Sequence, residues 1–145
     1  MVGLPAHQPT CFDRQKIISV PFIKETSMVA WNDYKQMARA RGSLAKELYV
    51  VVTTPVKPLE QVKAVLLDHL AYQDAQEAAG NLALAGPLSD KSGDSMQGEG
   101  LIVYQTASLE AAIKLADADP MHATGTREYT IRRWMLNEGT LRPTT

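Results

Sequence analysis

The sequence predicts an α+β domain of the ferredoxin-like βαββαβ type, with a four-stranded antiparallel sheet and two helices on one of its faces. Three observations predict it. A β-branched run is followed by a long helical pattern, two short apolar segments flank a glycine- and serine-rich stretch, and a second helical pattern precedes a final alternating segment. This order of elements is that of a split βαβ fold. The sheet face without helices is apolar, and pairing two such faces in a homodimer is the simplest way to cover it.

Composition limits the possible partners of the chain. Its 145 residues fit one domain, and a net charge of −1 without blocks of like charge argues against nucleic acid or an anionic membrane. No apolar run approaches the roughly 20 residues that span a bilayer. The single cysteine, Cys11, excludes an internal disulfide. With no pattern of a secretory signal at the start, a cytoplasmic location is expected.

Residues 1–47 are predicted to form an N-terminal extension, and residues 48–145 the ferredoxin-like domain. The extension begins with proline-containing sequence that is typical of an arm without regular structure. It ends with a helix that starts near Met28 and runs towards Leu44. The aromatic residues of this helix either pack locally or cover the cleft of a neighbouring subunit.

The domain itself begins with a central strand and a long helix. Residues 48–53, Leu-Tyr-Val-Val-Val-Thr, form a continuous β-branched run typical of a buried strand. Pro58 then opens a helix that ends at the glycine cap Gly80. His69 falls on the face of its apolar residues. These residues, at helical spacing, are Val62, Val65, Leu66, Leu70 and Ala71.

Three further strands complete the predicted sheet. Residues 82–88 and 101–105 are short apolar segments, and residues 89–100 between them have the composition of a loop. Residues 129–135 alternate enough to form the fourth strand.

The second helix of the domain begins and ends at recognisable residues. Ser108 is its predicted N-cap, and Pro120 stops it. Asp119 therefore lies at the helix exit. The helix dipole disfavours an anion at the C-terminus of a helix, so the Asp119 carboxylate needs a partner.

Four pieces of sequence, in this order on this topology, carry a family resemblance. They are His69 in the first helix, Asn-Leu-Ala-Leu-Ala-Gly-Pro at residues 81–87, the glycine-rich loop, and Asp119-Pro120 after the second helix. Over about residues 48–134 the chain resembles the YCII-related family, whose members are dimeric α+β barrels. The N-terminal extension has no counterpart in the short members.

The resemblance implies a His-Asp dyad in a cleft, at His69 and Asp119. Family members with a known reaction include lyases and dehydrochlorinases that act on small ring compounds in degradation pathways. The residues predicted to bind the substrate are Gly86, Pro87, Ser89, Met121 and His122. Ser89 either bonds a substrate oxygen or caps the turn, and His122 either lines the cleft or lies in solvent.

The chemistry of the two residues fits general base catalysis. Histidine exchanges a proton near neutral pH, and a carboxylate that accepts from one ring nitrogen fixes the tautomer and stabilises the imidazolium. The competing interpretation is that His69 is a hydrogen-bonded core residue. The hypothesis therefore requires that His69 and Asp119 meet within hydrogen-bond reach at a cleft.

Other chemistry has little support in the sequence. No serine stands in a nucleophile-elbow pattern, and no cluster has metal-ligand spacing. The pair Gly98 and Gly100 lacks the third glycine of a dinucleotide site. We therefore expect no cofactor and no metal.

The favoured function is a small cofactor-independent lyase or isomerase that acts on a small molecule in a catabolic pathway, as a homodimer or higher homo-oligomer. The alternative is a non-enzymatic module that binds or senses a small molecule in the same cleft. A third interpretation is a structural dimer that binds a partner protein through its extension.

Overall fold

The computed structural model describes residues 28–141, so Cys11 and the predicted arm lie outside the described residues. None of the described helices is long and apolar enough to cross a membrane. The elements, in chain order, are α1 (Trp31–Ala40), β1 (Lys46–Pro55), α2 (Leu59–Ala78), β2 (Leu82–Pro87), β3 (Gly100–Tyr104), α3 (Leu109–Ala118), α4 (Pro120–Ala123) and β4 (Arg127–Leu136).

The four strands form one antiparallel sheet in the order β2-β3-β1-β4, which confirms the predicted ferredoxin-like fold class. The β-branched strand β1 is central, with Val51 opposite Ile102 on one side and Ile131 on the other. Its residues Tyr49, Val51 and Thr53, which face the helices, are buried, whereas Val50 and Val52 on the other face are partly exposed.

The main core lies between the sheet and α3. Alternate residues of β1 and β3 point to this face and pack against small residues of the helix. The buried members are Tyr49, Val51, Ile102, Tyr104, Ala112 and Ala116. On the opposite sheet face, Leu48, Val103 and Leu136 form a second cluster.

Strand β4 begins earlier than predicted. The alternating pattern indicates residues 129–135, whereas β4 starts at Arg127, opposite Pro55. Backbone pairing with the long β1 extends the strand over residues whose side chains show no strand pattern. The earlier start places Arg127 in strand β4, where it lines a cavity between α2 and the sheet.

The prediction that the apolar residues of α2 enter the core is largely wrong. Val62 is buried, but Leu66 and Leu70 are 41% and 47% exposed. The side of α2 that faces α3 and α4 instead carries His69, Tyr72 and Gln73. The Tyr72 hydroxyl donates to the Leu115 carbonyl oxygen at 2.7 Å, and Gln73 is buried.

Helix α1 is shorter than the predicted span from Met28 towards Leu44, and it packs on the sheet of its own chain. Ala38 is buried with Ala45 and Met135. The Trp31 indole donates to the Glu47 carboxylate at 2.9 Å. A role of this helix over a neighbouring subunit's cleft and the domain division after residue 47 stay predictions.

Candidate active site

His69 and Asp119, which are 50 positions apart in sequence, are in direct contact. His69 Nδ1 lies 2.8 Å from one carboxylate oxygen of Asp119 and 2.9 Å from the other. Helix α2 carries the ring, and the junction of α3 and α4 carries the carboxylate. The two side chains therefore meet within hydrogen-bond reach, as the hypothesis of a His-Asp dyad requires.

Asp119 is fully buried and satisfied by several donors. Besides His69, its carboxylate accepts from the Met121 N–H at 2.9 Å and from the Gln73 amide at 3.4 Å. Burial alone raises the pKa of Asp119, but the hydrogen bonds from His69 and Met121 outweigh it and leave the pKa below its ordinary value. The carboxyl group is therefore ionised at neutral pH.

The helix-dipole prediction for Asp119 needs a correction. Asp119 ends α3, as predicted, but it is also the N-cap of the short helix α4, with Pro120 in its first turn. The N–H groups at the start of α4 favour a carboxylate. The expected unfavourable dipole therefore applies only to the helix that ends at Asp119, and the helix that begins there offsets it.

The contact with Asp119 determines how His69 presents its other ring nitrogen. Because a carboxylate only accepts, Nδ1 carries the hydrogen, and Nε2 of the neutral ring is the proton acceptor. Nε2 makes no hydrogen bond to the part of the chain that the structure describes. The His69 side chain is 20% exposed and lines a cavity.

The cavity lies between α2 and the β2–β3 half of the sheet, and its volume is about 1060 Å³. Leu59, Leu66 and Leu70 of α2 form one wall of the cavity, strand β2 forms the other, and residues 96–100 form one end. This is the size and character of a site for a small apolar molecule. Its lining includes Thr53, Leu59, Leu66, Leu70, Leu84, Gly86, Pro87, Met121 and Arg127.

Of the five residues predicted to bind the substrate, the structure places Gly86, Pro87 and Met121 in this lining. Ser89 does not line it. Its hydroxyl donates to the Asp90 carbonyl oxygen at 2.8 Å, as in the turn-capping interpretation.

His122 also lies outside the lining, and the interpretation that it is in solvent is wrong. Its Nδ1–H donates to the Ala116 carbonyl oxygen at 2.6 Å, and its Nε2 accepts from the Thr53 hydroxyl at 2.8 Å. Burial lowers the pKa of His122, although the bond to Ala116 opposes this. His122 is therefore a neutral, fixed ring behind the cavity.

Sequence reasoning missed Thr53 and Arg127. The Arg127 Nε donates to the Thr53 hydroxyl at 3.0 Å, and its Nη2 donates to the Thr53 carbonyl oxygen at 2.9 Å and to the Gly98 carbonyl oxygen. Only the register of β1 with β4 brings these residues together, and no local motif signals it.

Groups of three or more His, Cys, Asp or Glu side chains that could hold a metal do not occur within residues 28–141.

Comparisons with known proteins confirm the family resemblance. The family model described as YCII-related domain matches residues 48–135. An uncharacterized protein, YjpA, from Bacillus subtilis (strain 168) is 36% identical over 70 residues, which are 48% of this chain and 75% of that protein.

A solved structure is more distantly similar. It is 5-chloro-2-hydroxyhydroquinone dehydrochlorinase from Burkholderia phenoliruptrix AC1100, in complex with 2,5-dihydroxybenzoquinone. The match has a TM-score of 0.48 and 18% identity, and it covers 60% of this chain and 92% of that one.

Proposed function

This chain belongs to the YCII-related family, and we propose that it is a small lyase or isomerase in which His69 is the general base. One observation carries the proposal. The ring is fixed by a buried carboxylate on one nitrogen, while the other has no protein partner among the described residues, on a side chain that lines a large apolar cavity. His122, in contrast, uses both of its ring nitrogens in hydrogen bonds within the protein.

The proposed reaction needs a substrate carbon made acidic by a neighbouring carbonyl or ring hydroxyl. His69 Nε2 takes the proton from this carbon, and Asp119 stabilises the resulting imidazolium. The electron pair of the broken C–H bond then forms a double bond. Either a leaving group such as halide departs with its electrons, or the imidazolium returns the proton to another carbon and the double bond shifts.

Exchange of the acidic C–H with deuterated water tests the proton transfer for either outcome. Small ring ketones and hydroxyquinones, with and without a halogen, are incubated with the full chain, and loss of the C–H signal is followed by NMR. We expect His69→Ala and Asp119→Asn to slow exchange by about 10²–10⁴-fold. Asp68→Asn, an exposed carboxylate on the same helix, is the matched control and should exchange at the wild-type rate. Wild-type rates in both dyad variants would refute the proposal.

A non-enzymatic binding module is the second candidate, and the size of the apolar cavity is the observation that favours it. It predicts saturable binding of the same compounds, with no C–H exchange and no product after long incubation.

We also propose a homodimer formed through the sheet face opposite α3. Trp134 lies on this face, since it is opposite Leu48 in the register, and its side chain is 41% exposed. Apolar side chains that remain this accessible beside a buried cluster are typical of an interface.

A further inference from the structure

Arg127 is the first residue of β4, and three hydrogen bonds hold its guanidinium group in place. Two go to the hydroxyl and carbonyl oxygens of Thr53, and one goes to the carbonyl oxygen of Gly98 in the β2–β3 connection. These bonds use the hydrogens of Nε and Nη2. The group is therefore fixed before any ligand arrives, and it lines the same cavity as His69.

The charge of Arg127 lacks a counter-ion within residues 28–141. No carboxylate there lies at ion-pair distance from it, and the two Nη1 hydrogens have no acceptor there. Burial lowers the pKa of Arg127, although the charge of Asp119 opposes this, so the cation is partly removed from water. Taking a cation out of water without a partner is unfavourable, and an anion would offset the cost.

The other charged side chains that line the cavity do not fill this role. Lys57, Lys63, Glu77 and Glu99 are all exposed, so solvent screens them. Asp119 already bonds His69. Arg127 is thus the fixed, half-buried charge in a lining that is otherwise mainly apolar.

We propose that Arg127 binds an anionic oxygen of the substrate through Nη1, so that the cavity selects small ring compounds that carry a carboxylate or an ionised ring hydroxyl. The uncharged ring would lie against the leucines of α2. Arginine is suited to such a site because its donors are charged and rigidly arranged. The inference rests on the proposed function in that it takes the cavity to be the substrate site, but it can be tested without turnover.

The test uses benzoate and benzamide, which have nearly the same shape but differ in charge at pH 7.5. Their dissociation constants for the full chain are measured by NMR titration, in wild type, Arg127→Gln and His69→Ala. Arg132→Gln, an exposed arginine on the same strand, is the matched control. We expect wild type to bind benzoate at least about tenfold more tightly than benzamide, the factor for one charge-assisted hydrogen bond.

The variants separate the sources of this preference. Arg127→Gln should abolish it, whereas His69→Ala and Arg132→Gln should keep it. The proposal is overturned if wild type shows no preference, if benzoate does not bind at millimolar concentration, or if His69→Ala rather than Arg127→Gln removes the preference. A preference that persists in a wild type inactive in C–H exchange would leave the anion site standing while the proposed function fails.

A second measurement covers the case that Arg127→Gln does not fold, which circular dichroism would show. The guanidinium N–H signals of wild type are then followed during benzoate titration, after assignment of Arg127 by its contacts with Thr53. A saturating shift of these signals with benzoate and not with benzamide supports the proposal, and unshifted signals overturn it.

Discussion

At the scale of single residues, Asp119 combines two tasks in one carboxylate. It fixes the His69 ring and it caps helix α4 through the Met121 N–H. Substitutions can separate these tasks because asparagine keeps an acceptor oxygen and alanine does not. Activity and stability are therefore expected to respond differently to the two changes.

We predict that Asp119→Ala destabilises the fold more than Asp119→Asn does. Loss of the cap costs about 1 kcal/mol, and alanine also leaves the buried Gln73 amide and the His69 Nδ1–H without their acceptor. The free energy of unfolding, measured in urea, checks this. Ser108→Ala, which removes only the cap of α3, is the reference for the capping contribution. Equal stability of the two Asp119 variants would contradict the prediction.

His122 should make stability depend on pH. Its folded pKa is below the ordinary 6.5, so the unfolded chain takes up a proton at a higher pH than the folded one. Its contribution is therefore fully present above about pH 6.5 and is lost as the pH falls from there towards the folded pKa. In urea unfolding, the stability advantage of wild type over His122→Gln should be larger at pH 7.5 than at pH 5.5. An advantage that does not change with pH would contradict this.

At the scale of elements, the connection between β2 and β3 is built around two residues. The Asp90 carboxylate accepts from the N–H groups of Ser92 and Gly93, and from the Ser92 hydroxyl at 2.7 Å. Gly98 has a φ of +90° and bonds Arg127 through its carbonyl oxygen. The end of this loop is thereby attached to the cavity wall, which makes it part of the site.

We predict that Gly98→Ala destabilises the protein by about 1 kcal/mol or more, because alanine disfavours positive φ. A Cβ there would also lie 3.0 Å from the Pro55 side chain. The matched control is Gly86→Ala, whose Cβ would meet nothing within 4 Å. It should stay within about 0.5 kcal/mol of wild type in urea unfolding. Similar losses in both variants would contradict the prediction.

The sequence predicts where the helices and strands lie better than it predicts which side of a helix is buried. Apolar period and terminal residues place α2, α3 and the strands, and Pro120 correctly ends α3. The side of α2 that enters the core is not predictable from its leucines, because the cavity keeps Leu66 and Leu70 accessible. The contact of Arg127 with Thr53 is not predictable either. It depends on the register between β1 and β4, which the residues next to Arg127 in the sequence do not determine.

At the scale of the whole molecule, the candidate site is assembled from residues on elements that are far apart in the sequence. Helix α2 supplies His69, the α3–α4 junction supplies Asp119, and β1 with β4 supplies Thr53 and Arg127. The central position of β1 in the sheet links these parts. The opposite face of the same sheet is the one on which we propose the contact with a second copy.

We predict that the protein sediments as a dimer with about twice the chain mass of 15.9 kDa. Trp134→Lys should shift it to the monomer, because a lysine in an apolar interface is desolvated without a partner. Leu67→Lys, on the exposed side of α2 away from the sheet, is the control and should remain dimeric. Analytical ultracentrifugation measures the mass, and a monomeric wild type would refute the homodimer.

A ligand that binds in the cavity should raise the free energy of unfolding, and this effect can be used to find the ligand. Its walls come from distant parts of the chain, so they exist together only in the folded state, and an occupant binds that state and not the unfolded one. By linkage, a ligand at 100 times its dissociation constant adds about 2.7 kcal/mol to the free energy of unfolding. For a chain of this length, that raises the melting temperature by several degrees. Melting curves recorded over a library of small ring acids would therefore detect the natural ligand class before any turnover is known.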